Sequence, residues 1–263
     1  MNFGSKRNGK EECKSDPKIH NKYKEIISTI PRRNGGWVVD LYQYEGFWCG
    51  AHDLRGILSV QDQFTPQPND VILSSAPKSG TTWLKALSFA IMTRFHFNES
   101  TSPLLTRLAH VCVPYLEFKL SSNSQKLDLD VPPVATHIPY TSLPKSVINS
   151  SCKTVYICRD PKDVFVSLWH FSNKLSPKGM EASPMKEIHL RDAFDGSHCV
   201  KSQNQCFFRS GKVGDWKNHL SPTMTMRLDQ ITEQKLSGSG LTLHVSSKGL
   251  IYSTPFMAGI KMV

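Results

Sequence analysis

Val71-Ile72-Leu73-Ser74-Ser75-Ala76-Pro77-Lys78-Ser79-Gly80-Thr81-Thr82-Trp83-Leu84-Lys85 is the stretch on which the fold turns. Its first five residues form a short apolar run after the breaker Pro66-Gln67-Pro68-Asn69-Asp70, which predicts a buried strand over 71–75. Residues 76–80 make a loop, and from Thr81 onward Leu84, Leu87, Ile91 and Phe95 recur at helical spacing. Strand, tight loop and helix in that order bring free backbone N–H groups and a positive dipole end beside Lys78, Ser79, Gly80, Thr81, Thr82 and Trp83. Lys78 adds a full charge, Gly80 permits close backbone approach, the threonines add hydroxyl donors, and Trp83 offers a face to an aromatic base. Taken alone, Lys-Ser-Gly-Thr-Thr fits a phosphate loop and an ordinary strand-to-helix turn equally well. It is not the loop of nucleoside triphosphatases, in which the lysine follows the last glycine.

Two further segments repeat the arrangement. The apolar stretch from Val131 predicts a strand ending near His137, because Pro139 and Pro144 follow it. Thr154-Val-Tyr-Ile-Cys158 is β-branched and aromatic and leads through Arg159-Asp160-Pro161 into a helix starting near Lys162. Asp160 as N-cap and Pro161 at the first helical position are strong start signals. Three strands, each leading to a loop or helix, predict an α/β fold, a single domain with a central parallel sheet flanked by helices. Ligands of such sheets bind beyond the carboxyl ends of the strands, where Lys78, His137 and Arg159 all fall.

The rest of the chain bounds the function. With 263 residues, 39% hydrophobic and 21% charged, it has enough apolar side chains for a core and is not a disordered chain. Tyr42, Tyr44, Phe47 and Trp48 form a dense aromatic cluster suited to a core or a pocket. No apolar run approaches the roughly 18 residues of a membrane helix. The seven cysteines are scattered and never spaced as Cys-x-x-Cys, so neither a disulfide framework nor a zinc knuckle is indicated, and a cytoplasmic protein is expected. Metal binding is not supported either, for no His-x3-His, His-Glu-x-x-His or Asp-x-Asp cluster occurs.

The net charge is +10, and half of it lies in residues 1–33, where nine Lys/Arg face four acidic residues in an expected basic, mobile N-terminal arm. The remainder lacks the interleaving of basic and aromatic residues found on nucleic-acid platforms, which favours a small anionic ligand over nucleic acid. Leu236-Ser-Gly-Ser-Gly240 has the composition of a linker or loop, and residues 246–263 have no clear period.

Ala76-Pro-Lys-Ser-Gly-Thr-Thr-Trp83 resembles the 5′-phosphosulfate loop of the cytosolic sulfotransferases, which use 3′-phosphoadenylyl sulfate (PAPS). Three more segments resemble that family in order: Thr136-His-Ile-Pro-Tyr-Thr-Ser-Leu-Pro144, Cys158-Arg-Asp-Pro-Lys-Asp-Val-Phe-Val-Ser167, and Phe207-Phe-Arg-Ser-Gly-Lys-Val-Gly-Asp-Trp-Lys-Asn218. Tyr44-Glu-Gly-Phe-Trp-Cys49 is similar to the plant members, and the likeness covers about residues 20–245. It implies a sulfotransferase-type nucleotide-binding core and sulfuryl transfer from PAPS to a hydroxyl of a small acceptor such as a flavonoid or steroid. His137 would be the general base and Lys78 would stabilise the departing bisphosphate. Arg159 and Ser167 would bind the 3′-phosphate, with Arg209, Ser210 and Gly211 meeting it from the opposite side. The mechanism needs no metal, and a monomer and a homodimer are both compatible with it.

Two departures from the family stand out. Ser210 occupies the usual lysine position of an Arg-Lys-Gly clamp, removing one positive charge from the 3′-phosphate site. Between Phe194 and Gln205 ten residues stand where the family carries a longer run of helices and a strand, so a family segment is missing around 196–205. The expected domain therefore spans 34–245 with an internal deletion, followed by an unmatched tail over 246–263. Loss of a sheet strand would leave an unpaired edge and exposed apolar surface. The alternative to an active enzyme is an impaired remnant with weak or no nucleotide binding.

Overall fold

At the amino end of the chain, α1 (Pro17–Thr29) packs on α2 (Ala51–Gln63), and between them run the short strands β1 (Arg32–Arg33), β2 (Leu41–Tyr44) and β3 (Phe47–Gly50) of an antiparallel sheet. The computed structural model describes residues 17–33, 40–119, 133–175, 185, 211–237, 242–246, 249–253 and 260–262. The aromatic hairpin β2–β3 docks on the helix through Tyr44, whose hydroxyl donates to Gln61 Oε1 at 2.8 Å. The basic arm expected over residues 1–33 is corrected over its second half. Tyr23 and Ile27 are buried in the core, because α1 carries an apolar stripe between its lysines that α2 covers. Residues 1–16 lie outside the described residues.

The central sheet follows. Strand β4 (Val71–Ser75) pairs in parallel with β5 (Pro133–Thr136) on one side and β6 (Lys153–Ile157) on the other. Between β4 and β5 the chain forms α3 (Thr81–Met92), α4 (Ala109–Cys112) and α5 (Leu116–Lys119). After β5 comes α6 (Lys145–Ile148), and α7 (Pro161–Leu175) leaves β6 where the capping signals place it, with Asp160 Oδ1 accepting from Lys162 N at 2.9 Å.

Side-chain alternation divides the two faces of this sheet. Ile72 and Val134 pack with Leu54, Ile57, Leu58 and Val60 of α2, while Leu73 and Ala135 pack with Phe89, Cys112 and Val113. A third cluster joins Phe165 and Val166 of α7 to Leu220 and to Leu228 of α8 (Pro222–Leu236). Leu236 closes that helix, so the expected linker begins one residue later than its composition suggests, and residues 238–240 lie outside the described residues.

Two features differ from the sequence pattern. The repeating apolar stripe of α3 does not face the core: Leu87 and Ile91 are 60% and 52% exposed, and the line buried under the sheet is Thr81, Lys85 and Phe89. Helical period identifies a face without saying which neighbour covers it. After α8 come the hairpin β7 (Thr242–Ser246) and β8 (Gly249–Ser253) and then β9 (Ile260–Met262), so the stretch 246–263, which has no legible period, contains β8 and β9. Strand β9 runs parallel to β6, with Thr154 opposite Ile260, and completes the order β5-β4-β6-β9. The outer edge of β6 is thereby paired.

Candidate active site

The carboxyl ends of β4, β5 and β6 lie side by side, so the loops that leave them share one crevice. After Ser75 the chain turns sharply: Ser79 N donates to Ala76 O at 3.2 Å, Lys78 adopts φ +64° and Gly80 adopts φ +109°. A glycine suits position 80 on two counts, since a side chain there would be strained and its Cβ would lie 3.2 Å from Ile157 Cδ1 at the end of β6. The left-handed Lys78 is backbone strain held by the surrounding turn, a feature that clusters at ligand sites. Its ammonium sits 3.9 Å from the ring centre of Phe171 on α7, which draws that helix over the loop.

The loop residues do not all face the crevice. Thr81 is buried and shares a 2.7 Å hydrogen bond with Ser75, tying the first turn of α3 to the strand, and Ser79 is buried within the turn. Thr82 is half-buried, and Trp83 is 69% exposed beside the helix start.

His137 stands immediately after β5 and is fixed from three directions. Its backbone N–H donates to Glu117 Oε1 at 2.9 Å, and Thr136 donates to Glu117 Oε2, also at 2.9 Å. Glu117 reaches this place because α5 lies directly on α2 at Gly56, where a Cβ would come within 2.4 Å of the Glu117 carbonyl oxygen. The ring Nδ1 lies 2.7 Å from the Ser75 carbonyl, which can only accept, so Nδ1 carries the proton and Nε2 carries the lone pair. Burial pushes the His137 pKa down to about 3; the nearby Lys85 and Lys78 push the same way, and the Ser75 hydrogen bond opposes them. Burial raises the pKa of Glu117 against the hydrogen bonds that it accepts.

Behind His137 lies a layer that sequence patterns do not reveal. The Tyr115 ring is 4.7 Å from that of His137 and 5.5 Å from that of His110. Lys85, with no solvent exposure, places Nζ 3.0 Å from the Tyr115 ring centre and 3.2 Å from His110 Nδ1. His110 Nε2 in turn lies 3.1 Å from Thr82 Oγ1. The available signal was Lys85 itself, the one charged residue of α3, four positions after Thr81 on the line that is buried.

The opposite wall comes from α7 and the segment after it. Arg159 donates to the Lys212 carbonyl at 3.2 Å and lies 3.9 Å from Asp163. The fully buried Asp163 accepts from Gly214 N at 2.7 Å and from Trp216 N at 3.1 Å, so one carboxylate holds this segment onto the start of α7. Lys162 reinforces it through Asp229 at 2.5 Å and the Trp216 ring at 5.0 Å. Ser167 is half-buried further along α7, and Gly211 is exposed with φ +63°. Arg209 and Ser210 lie outside the described residues. Among the described residues no cluster of His, Cys, Asp or Glu is arranged to hold a metal ion, and no helix is long and apolar enough to cross a membrane.

A parallel sheet with the Lys78 loop and a fixed histidine at its strand ends is the arrangement of the α/β class whose ligands bind beyond the carboxyl ends of the strands. The sulfotransferase domain family matches residues 68–202 and again residues 185–240, and the chain belongs to that family. A flavonol sulfotransferase-like protein of Flaveria bidentis is 33% identical over 307 aligned residues, covering 83% of this chain and 99% of that protein. Since 83% of 263 residues is about 218, close to 90 of the 307 positions have no counterpart in this chain. An Arabidopsis thaliana protein described as a steroid sulphotransferase candidate superposes with a TM-score of 0.60 at 33% identity, over 88% of this chain and 98% of its own. Retinol dehydratase, in a complex with retinol and PAP, shares the fold with a TM-score of 0.52 at 16% identity, over 85% of this chain and 96% of its own.

Proposed function

We propose that this sulfotransferase-family enzyme is a cytosolic protein that moves the sulfuryl group from PAPS to a hydroxyl of a small acceptor, with His137 as the general base. The observation that carries the assignment is the hydrogen bond from His137 Nδ1 to the Ser75 carbonyl, at 2.7 Å. It leaves Nε2 unprotonated at the end of the same strand pair whose other loop holds Lys78. The acceptor oxygen attacks sulfur and its proton passes to Nε2, while the bond from sulfur to the bridging phosphate oxygen breaks. The electron pair of that bond leaves with adenosine 3′,5′-bisphosphate, where Lys78 neutralises the developing charge.

The low proton affinity of His137 suits the resting state, in which the ring is neutral throughout the physiological range. Lys78 is one of the charges that lower this affinity, and a phosphate bound against Lys78 offsets it, raising the basicity of the ring when the donor is present. Arg159 and Ser167, with Arg209, Ser210 and Gly211, form the 3′-phosphate site in this assignment. The PAP held by retinol dehydratase in the same fold supports the choice of nucleotide. Flavonol names among the plant relatives support an aromatic hydroxyl acceptor.

A second possibility, a remnant that no longer turns over, is favoured by the roughly 90 unmatched positions and by the exposed Leu87 and Ile91 on α3. Calorimetric titration with adenosine 3′,5′-bisphosphate separates the two. Micromolar binding by the wild-type chain, weakened about 10- to 100-fold by Lys78→Ala through loss of charge-assisted hydrogen bonds, is the expected result. A folded protein that binds no nucleotide would establish the remnant instead.

A further inference from the structure

Burial pushes the Lys85 pKa well below that of a free lysine, with Glu117 opposing the shift, and a methionine would fill the same space with no charge or donor to satisfy. Lys85 nevertheless lies wholly inside the protein, one helical turn behind the loop at the start of α3. The buried Glu117 and the face of Tyr115 offset part of the cost, and the hydrogen bond to His110 gives the amine a defined direction. Thr82, His110 and Lys85 form one line, with 3.1 Å from Thr82 Oγ1 to His110 Nε2 and 3.2 Å from His110 Nδ1 to Lys85 Nζ.

That line can be polarised in only two ways. If Lys85 donates to Nδ1, the ring proton sits on Nε2 and is given to Thr82 Oγ1, and the threonine hydroxyl keeps its own proton for a ligand. If the order is reversed, the hydroxyl proton is spent on Nε2 and an oxygen lone pair faces the crevice, where it repels an anion. A phosphate at this helix start selects the first order, in which Lys85 is the donor to Nδ1. We infer that Lys85 is a positioning residue for the sulfuryl donor, acting through His110 to aim the Thr82 hydroxyl proton at a phosphate oxygen beyond the start of α3. This rests on the nucleotide assignment above and adds to it two residues that touch no ligand themselves.

The experiment is a double-mutant cycle read by calorimetric titration with adenosine 3′,5′-bisphosphate, with the thermal midpoint of each variant recorded alongside. Lys85→Met and Thr82→Val are each expected to weaken binding about tenfold, the loss of one effective hydrogen bond, and the double variant no further than either alone. Losses that multiply to about a hundredfold, or a Lys85→Met protein that binds like wild type, overturn the inference while leaving the nucleotide assignment standing. Wild-type protein that binds no nucleotide overturns both. If Lys85→Met does not fold, the decisive pair is His110→Gln and His110→Leu. The amide keeps an acceptor toward Lys85 and a donor toward Thr82 and should retain most of the affinity that leucine loses. Equal loss in the two would leave only a packing role and overturn the inference.

Discussion

The two walls of the crevice are built differently. The wall carrying Lys78, Thr82 and His137 is backed by two sets of polar contacts: Glu117 and Ser75 hold His137 with Thr136 beside it, and His110 and Lys85 stand in line behind Thr82, most of them buried. The wall carrying Arg159 and Gly211 depends on a distant stretch of chain pinned to α7 chiefly by Asp163 and by the Arg159 bond to the Lys212 carbonyl. The first wall forms from neighbouring strands and the segments that leave them, with β6 and Phe171 of α7 packed against its Lys78 loop. The second needs a segment some 50 residues downstream to dock, and the departures from the family, Ser210 and the shortened stretch before it, fall in that approach. If the proposed function holds, a chain altered there keeps the wall around His137 while its hold on a nucleotide weakens.

The largest expected effect tests the first wall. His137→Asn preserves an N–H toward the Ser75 carbonyl but has no base, so PAPS-dependent transfer should fall by about two to four orders of magnitude, with affinity for adenosine 3′,5′-bisphosphate near wild type. Substantial residual transfer would remove His137 from the reaction and erase the distinction between the walls.

A smaller effect tests the second. Asp163→Asn weakens two charge-assisted bonds to backbone N–H groups and should cost roughly 1.5–3 kcal/mol in urea titrations, with nucleotide affinity falling in parallel. Stability that drops while affinity is unchanged would mean that residues 211–218 are scaffold and that the nucleotide is held by the first wall alone.

The smallest effect probes the outer side of α3. Leu87→Gln should change stability by no more than about 0.5 kcal/mol, as expected of an exposed position, whereas a loss of about 2 kcal/mol or more would mean that another part of the chain covers this helix.

Much of this was legible in the residues themselves. Val71–Ser75, the cap Asp160-Pro161 and the prolines after His137 are local signals, and local signals survive in a single sequence because they depend on backbone preference and short-range hydrogen bonding. Four motifs in order carried the family and put Lys78, His137 and Arg159 at the strand ends. Which way α3 turns was not legible, because Leu87 and Thr81 lie on two faces of one helix and only the packed sheet selects between them.

The chain by itself determined the parallel α/β core and the loops at its strand ends, consequences of short apolar runs and their punctuation, and its ordered motifs carried the family and made His137 the candidate base. The tertiary structure alone decided that β9 pairs with β6, that Gly56 admits Glu117 beneath His137, and that Lys85 is buried against Tyr115 and His110. Those contacts join residues about 25 to more than 100 positions apart, and no local preference encodes them. They arise when apolar burial closes the sheet and each buried polar group must find a partner in whatever segment the packing has brought alongside.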